Sequence, residues 1–199
     1  MTAHQSPKER KADGKALRTT VPRSSHGDWS PAADRPDPVE VITSQNANRV
    51  QALVPIRHGR MAVSAFTFYR GAAKIMAADL ASTQSSGLNA QLCGDAHLSN
   101  FGSYASPDRR QVFDVNDFDE TLPGPWEWDL KRLATSVVLA GRDNGFNKSA
   151  IATATTQSVA GYRRAMAGFA SQRTLDVWYA QATLDQIAAA APKKKDRNR

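Results

Sequence analysis

The sequence has few of the features that assign a chain to a specialised class. Cys93 is the only cysteine among 199 residues, so no internal disulfide can form, which fits the reducing cytoplasm where we expect the protein to act. No apolar run approaches the ~20 residues of a membrane span. The charged N-terminus is not followed by the apolar stretch of a secretory signal. We therefore expect no association with a membrane.

Basic residues are not concentrated on a recognisable surface either. The formal net charge is +7, but residues 193–199 alone hold five bases and one acid. Elsewhere no basic stretch is interleaved with aromatic residues, so the sequence does not favour a nucleic-acid partner. The composition, 41% hydrophobic and 23% charged, is that of a globular protein with room for one core.

The pattern along the chain predicts an α+β protein that is mostly helical. Residues 1–38 are polar and charged, and we expect a disordered tail there. Residues 39–190 form the expected domain, and residues 191–199 form a basic tail. Within the domain, helical periodicity surrounds a small cluster of predicted strands. The strands are expected at 88–93, 101–104 and 111–115, and the helices at 39–53, 66–81, from Trp126, from an Asn147 cap, and at 174–190.

The chemistry is concentrated between Gln91 and Leu130, where carboxylates and an amide lie in turns between apolar runs. Gly94 permits a turn with positive φ, so that Asp95 can project from a strand end. If the strand ending at Cys93 pairs with the strand at 111–115, then Asp95, Asn100 and Asp117 converge. Carboxylate and amide oxygens suit Mg²⁺. Asp95 could also orient a hydroxyl group and accept its proton.

Basic residues around an apolar patch leave two interpretations open. Arg57, His58, Arg60 and Arg70 flank the patch. They are either a core segment with snorkelling arginines or cationic arms that face the acidic stretch or a phosphate. His58 and His97 could be metal ligands, although we favour hydrogen-bonded structural histidines. The accessory candidates of the site are His97, Asp119, Glu120, Arg60 and Arg70.

Two motifs resemble kinase-like phosphotransferases of the aminoglycoside and choline kinase type. GDAHLSN, then an apolar strand, then NDFDET match the catalytic loop and the metal-binding segment of that class. The resemblance implies Mg²⁺ and ATP as cofactors, Asp95 as catalytic base, and Asn100 and Asp117 as metal ligands. It also implies that Asp129, in the Asp-Leu pair that opens the next helix, is a structural brace for the catalytic loop.

Longer motifs are similar to the bacterial family called domain of unknown function 2252. They are FTFYRGAA, CGDAHLSNFG, VFDVNDFDET and PGPWEWDLKRLA, and the similarity extends from about Leu53 to Tyr179. With the kinase resemblance it implies a partial kinase-like catalytic lobe over residues 39–190. Cys93 replaces the His or Tyr of kinases, and no Gly-rich loop or phosphate-binding Lys precedes Asp95. In the family these follow the catalytic segment in chains about twice as long, so we expect a truncated member.

Three functional interpretations remain. The first is a phosphotransferase that uses Mg-ATP on an acceptor that the sequence does not identify, with independent activity in doubt because the nucleotide-binding lobe is incomplete. The second is a non-catalytic metal- or nucleotide-binding remnant, or an interaction protein. The third is purely structural: Gly94-Asp95 and Asn116-Asp117 form turns, and the acids cap helices. The two aspartate segments around one hairpin, followed by an Asp-Leu helix, favour the first.

Overall fold

The computed structural model describes residues 5–190, and helices form the elements that precede the first strand. Short 3₁₀ turns lie at Arg23–Gly27, Gln45–Asn48 and Gln51–Leu53 between them. The α-helices of this part are α1 (Pro7–Thr20), α2 (Pro38–Ser44), α3 (Val54–Met61), α4 (Ala65–Arg70) and α5 (Ala73–Ala81).

Short strands and longer helices make up the rest of the described chain. The strands are β1 (Asn89–Leu92), β2 (Phe101–Ala105), β3 (Gln111–Val115) and β4 (Leu122–Pro125). The helices that follow are α6 (Glu127–Asp143), α7 (Lys148–Phe169), α8 (Thr174–Trp178) and α9 (Leu184–Ala190). The prediction of a mostly helical α+β protein is therefore confirmed, with two small antiparallel sheets.

The strands form two nested hairpins. β2 pairs with β3, with Phe101 opposite Val115, and β1 pairs with β4, with Leu92 opposite Leu122. The conditional pairing of the strand before Cys93 with the strand at 111–115 is wrong. Because only a short turn connects β2 to β3, these two strands pair at little entropic cost. β4 (LPGP) was not predicted, because its prolines and glycine have low strand propensity.

The described helices bury a small apolar cluster. Ile42 of α2, Met61 of α3 and Ile75 of α5 form it, together with Ala72. Met61 lies so close to Gly71 that a Cβ on this glycine would be 2.7 Å from the Met61 sulfur. A larger residue at position 71 would therefore require Met61 to move. α6 packs against α7, where Ile151 lies against Gly141, and Val137 and Ile151 are buried.

The N-terminal segment contains an α-helix, and the disordered tail expected at residues 1–38 stays a prediction. α1 occupies part of it, and Ser6 and Glu9 form a capping box at its first turn. None of its residues is buried. The helix is therefore stabilised by local hydrogen bonds rather than by a core, which explains why apolar content did not predict it. The boundaries of the domain stay a prediction, and the basic tail at 191–199 lies outside the described residues.

Candidate functional site

The nested hairpins place two acidic segments side by side. The first acidic segment, residues 94–100, joins β1 to β2, and the second, residues 116–120, leads from β3 towards β4. The register sets their contact: the Asn116 amide donates to the Asn100 carbonyl at 3.1 Å, just beyond the first pair of the inner hairpin. Asp95, Asn100 and Asp117 line one cleft. The convergence expected from the sequence therefore occurs, although through a different strand pairing.

Gly94 fits the tight approach between these segments. Its φ is +82°, the left-handed region that favours glycine. A Cβ at this position would lie 1.9 Å from the Glu120 carbonyl oxygen, which is backbone of the second segment. The prediction of a positive φ at Gly94 is confirmed. The glycine also has a function that the sequence did not reveal, because it allows the two segments to touch.

Asp129, in the first turn of α6, contacts the start of the first segment. Its Oδ2 accepts from the Cys93 amide at 2.7 Å and its Oδ1 from the Gly94 amide at 3.1 Å. Burial is the main cause that raises the pKa of Asp129, and the two amides act against it. These contacts are the ones that a structural brace needs.

Arg132, one helical turn later, holds Asp95. Its Nε donates to Asp95 Oδ1, and its Nη2 forms an ion pair with the same oxygen. The Arg132 side chain is 3% exposed, and that of Asp95 is 18% exposed. Arg132 Nη2 also donates to the Tyr69 carbonyl at 2.9 Å, and its guanidinium lies 4.5 Å from the Tyr69 ring centre. Asp95 is therefore fixed through one oxygen, while its other oxygen remains for a ligand.

His97 is the nearest titratable neighbour of that second oxygen. Its Nε2 lies 3.6 Å from Asp95 Oδ2. Its Nδ1 is buried and has no hydrogen-bond partner among the described residues. Burial is the main cause that lowers the pKa of His97, opposed by Asp95 and reinforced by Arg132 and Arg70. A neutral imidazole therefore lines the cleft beside Asp95.

The Asn100 amide is oriented by the backbone of both segments. Its Nδ2 donates to the Asp95 carbonyl at 3.1 Å and to the Asp117 carbonyl at 3.2 Å. Because the nitrogen faces these carbonyls, Oδ1 is the atom left for another partner, and within residues 5–190 it accepts no hydrogen bond. Asn100 is 6% exposed. An amide oxygen that is oriented in this way and left without a protein partner suits a hard cation.

The second segment is exposed, and its carboxylates are not neutralised. Asp117, Asp119 and Glu120 form no ion pair with any described residue. Partial burial raises the pKa of Asp119, and the negative charge of Asp117 raises it further. Asp117 lines the cleft. A cation bound near Asp117 and Asp119 would relieve this repulsion.

Arginines form the opposite wall of the cleft, which has a volume of about 600 Å³. We name Arg57, Arg60 and Arg70 the arginine wall. They come from α3 and α4, and Arg57 Nη2 ties the two helices together by donating to the Gly71 carbonyl at 2.7 Å. Of the two interpretations of these residues, the structure favours cationic arms that face the acidic stretch. Of the accessory candidates, His97, Arg60 and Arg70 line the cleft, whereas Asp119 and Glu120 lie beside it.

The oxygen donors of the cleft fit Mg²⁺ only if a bound substrate supplies further oxygen ligands. Within residues 5–190, no group of three or more His, Cys, Asp or Glu side chains is arranged to hold a metal ion. Mg²⁺ bound with substrate phosphates needs only one or two protein carboxylates. Asn100 Oδ1 and the Asp117 carboxylate would supply hard ligands of that kind. The donor set thus fits a shared protein–phosphate site and not a self-contained metal centre.

The sequence interpretation missed the α6 side chains that organise the first segment. Arg132 holds Asp95, and Ser136, which is fully buried, accepts from the Leu98 amide at 3.0 Å. Together with Asp129 they follow the spacing i, i+3, i+7, which is one face of a helix. That polar face was the available signal, because a buried Asp, Arg and Ser on an otherwise apolar stripe need partners.

The comparisons with known proteins identify the family. The chain belongs to the family of uncharacterized proteins conserved in bacteria, DUF2252, whose profile matches residues 49–199. This confirms the family resemblance drawn from the motifs. Neither a curated protein nor a solved structure matches the chain. In residues 5–190, no helix combines the length and apolarity needed to cross a membrane.

Proposed function

We propose that this chain carries the catalytic half of a kinase-like phosphotransferase that uses Mg-ATP. The observation that supports the proposal is the meeting of Asp95, Asn100 and Asp117 in one cleft, with the Asn100 amide turned so that its oxygen is unused. A fixed carboxylate beside two hard oxygen ligands is the arrangement that phosphoryl transfer requires. The fold supplies it from two loops of nested hairpins.

Asp95 is the proposed base. Arg132 occupies its Oδ1, so Oδ2 is the oxygen that faces an incoming hydroxyl group. The acceptor oxygen forms a bond to the γ-phosphorus while the bond between that phosphorus and the ADP oxygen breaks, and the hydroxyl proton passes to Asp95 Oδ2. Arg132 keeps the carboxylate in place during this step, and Asp129 keeps the loop in place.

Asn100 Oδ1 and the Asp117 carboxylate are the proposed metal ligands. Bound Mg²⁺ would neutralise the charge of the transferred phosphoryl group and align it. Burial raises the pKa of Asp119, and the negative charge of Asp117, which raises it further, supports a cation at this position. Glu120 and Asp119 lie next to the ligands and would strengthen the local attraction for it.

A second candidate is a metal- or nucleotide-binding protein without catalytic activity. The observation that favours it is the order of elements: from residue 5 up to β1, all of them are helical. A kinase-like enzyme needs strands and a Gly-rich loop to grip ATP. The partial kinase-like lobe that the family resemblance implies would be compatible with this second candidate. An interaction protein would use the cleft for recognition alone.

Isothermal titration of Mg-ATP into the full chain tests the metal site. We expect Asp117→Asn to weaken Mg-ATP binding roughly tenfold or more, because it removes a charged ligand. The exposed Asp143→Asn, at the end of α6, is the matched control and should bind like the parent.

If Asp117→Asn leaves metal affinity unchanged, the metal assignment is wrong. Binding of Mg-ATP in the millimolar range or weaker contradicts a self-sufficient kinase, and tight binding without ATP turnover favours the second candidate.

A further inference from the structure

The arginine wall carries more positive charge than the cleft neutralises. Arg57, Arg60 and Arg70 face two carboxylates in the lining, those of Asp95 and Asp117. Asp95 is already paired with buried Arg132. None of the three arginines makes an ion pair within residues 5–190. The arginine wall therefore keeps three guanidinium groups without an ion-pair partner among the described residues, which attracts an anion to this side of the cleft.

The helices hold these charges at one place. Arg57 and Arg60 are three residues apart on α3 and so share a helical face. Arg70 is the last residue of α4. The Arg57–Gly71 hydrogen bond and the contact of Met61 with Gly71 fix the two helices against each other. A set of guanidinium groups on a rigid support can bind one polyanionic group from several sides.

Arg57 has an unsatisfied donor. Its Nη1 is buried and has no hydrogen-bond partner in the described part of the chain. Burial is the main cause that lowers the pKa of Arg57, and nearby Arg49 adds to the effect. An unpaired, buried guanidinium nitrogen is costly to keep. An anion in the cleft that drew this group towards it would supply the missing acceptor.

We propose that the arginine wall of Arg57, Arg60 and Arg70 is a phosphate-binding site, so that a ligand of the cleft carries a phosphate dianion. The inference deepens the proposed function and rests on it for the choice of phosphate over other anions. Guanidinium groups match phosphate oxygens through paired N–H donors. Two sources share this chemistry: the phosphates of a nucleotide donor, and a phosphorylated small-molecule acceptor. In the first case the wall would bind the donor phosphates that a Lys binds in kinases.

Titration of inorganic pyrophosphate into the full chain without metal tests the site. We expect measurable binding, and the double variant Arg60→Gln/Arg70→Gln should weaken it roughly tenfold or more, since each side chain supplies a charge-assisted contact. Both residues are exposed and form no ion pair with described residues, so the fold should persist, which circular dichroism checks. Arg163→Gln, an exposed position of α7 outside the cleft lining, is the matched control and should bind like the parent.

Two results would overturn the phosphate site: no pyrophosphate binding by the parent chain, or unchanged binding by the double variant. Asp117→Asn separates this outcome from the metal proposal, because loss of a negative charge from the cleft should strengthen metal-free pyrophosphate binding, or at least not weaken it, while loss of a metal ligand weakens Mg-ATP binding. A competition experiment then distinguishes the sources. Displacement of pyrophosphate by Mg-ATP assigns the wall to the phosphates of the donor, and simultaneous binding assigns it to a phosphorylated acceptor; both support the site.

Discussion

The two acidic segments that meet in the cleft are held in opposite ways. The first segment is bound by side chains of α6: Asp129 at its start, Arg132 on Asp95, and Ser136 on Leu98. The second segment has exposed residues throughout, and its acids form no ion pair with described residues. Its hydrogen bonds to the first involve Asn100, whose side chain donates to the Asp117 carbonyl and whose carbonyl accepts from the Asn116 amide.

This difference indicates that folding alone positions the first segment, whereas the second segment would be positioned by a bound ligand. A carboxylate fixed by a buried arginine has its geometry before any substrate arrives, as a positioned base requires. Exposed carboxylates that repel each other gain most from a cation, as metal ligands do. The assignment of Asp95 as base and Asp117 as ligand is therefore consistent with how each is held.

The largest effect should follow from the loss of Arg132. Arg132→Met leaves the Asp95 charge mostly buried without its partner, and removal of one member of a buried pair costs about 3–5 kcal/mol. We expect the free energy of unfolding, measured by urea denaturation, to fall by that order. The exposed Arg142→Met, later on the same helix, should change it by no more than about 0.5 kcal/mol.

A double-mutant cycle separates the charge from the packing of Arg132. Arg132→Met combined with Asp95→Asn removes both charges, so the double variant should recover part of the lost free energy of unfolding. The remaining loss would measure the contacts of Arg132 with Tyr69. If the single variant is as stable as the parent, the first segment is not organised by α6, and the contrast between the segments fails.

A smaller loss should follow from Asp129→Asn. The amide can accept only one of the two hydrogen bonds from Cys93 and Gly94, and an unsatisfied buried donor costs about 1–3 kcal/mol. Because burial already disfavours the charged carboxylate and raises its pKa, removal of the charge offsets part of this cost. Hydrogen exchange at the Cys93 and Gly94 amides should accelerate. Unchanged exchange at both amides would contradict the bracing role, and Asp143→Asn is again the control.

Much of the site was predictable because its residues are close in sequence. Asp95, Asn100 and Asp117 lie within turns whose Gly and Pro content marks them as loops, and the inner hairpin at 101–115 has ordinary strand propensity. The β1–β4 pairing was not predictable, since β4 has little strand propensity. The α6 side chains that contact the first segment were missed because helical periodicity is recognised from apolar residues. Asp129, Arg132 and Ser136 are polar residues on a face that packs against the first segment.

The sequence predicted where helices occur, but not where they are interrupted. The expected helix at 66–81 is divided between α4 and α5, because Gly71 is pressed against Met61 and interrupts it. The helix expected at 39–53 is divided among α2 and two 3₁₀ turns, and Pro55 lies in the first turn of α3, where proline is tolerated. The last predicted helix is broken between α8 and α9, where Thr183 forms an isolated bridge with Val112 of β3. In each case a tertiary contact or a terminal position overrides the periodic pattern.

The smallest predicted effect is a loss of stability at acidic pH, and it originates in the first segment. Burial lowers the pKa of His97 below its ordinary 6.5, so as pH falls through 6.5 the unfolded chain binds a proton that the folded chain does not. The contribution of His97 to the free energy of unfolding is therefore largest above pH 6.5. It decreases as the pH falls below 6.5, until the pH has passed the pKa of His97 in the folded state. Asp95 opposes this shift, while Arg132 and Arg70 reinforce it. Urea denaturation at pH 7.5, 6.5 and 5.5 should therefore show a steeper loss for the parent chain than for His97→Gln, whereas His26→Gln, outside the cleft lining, should follow the parent. Equal slopes for the parent and His97→Gln would show that the imidazole beside Asp95 is not held neutral by the fold, and that the first segment is less closely packed than its contacts with α6 imply.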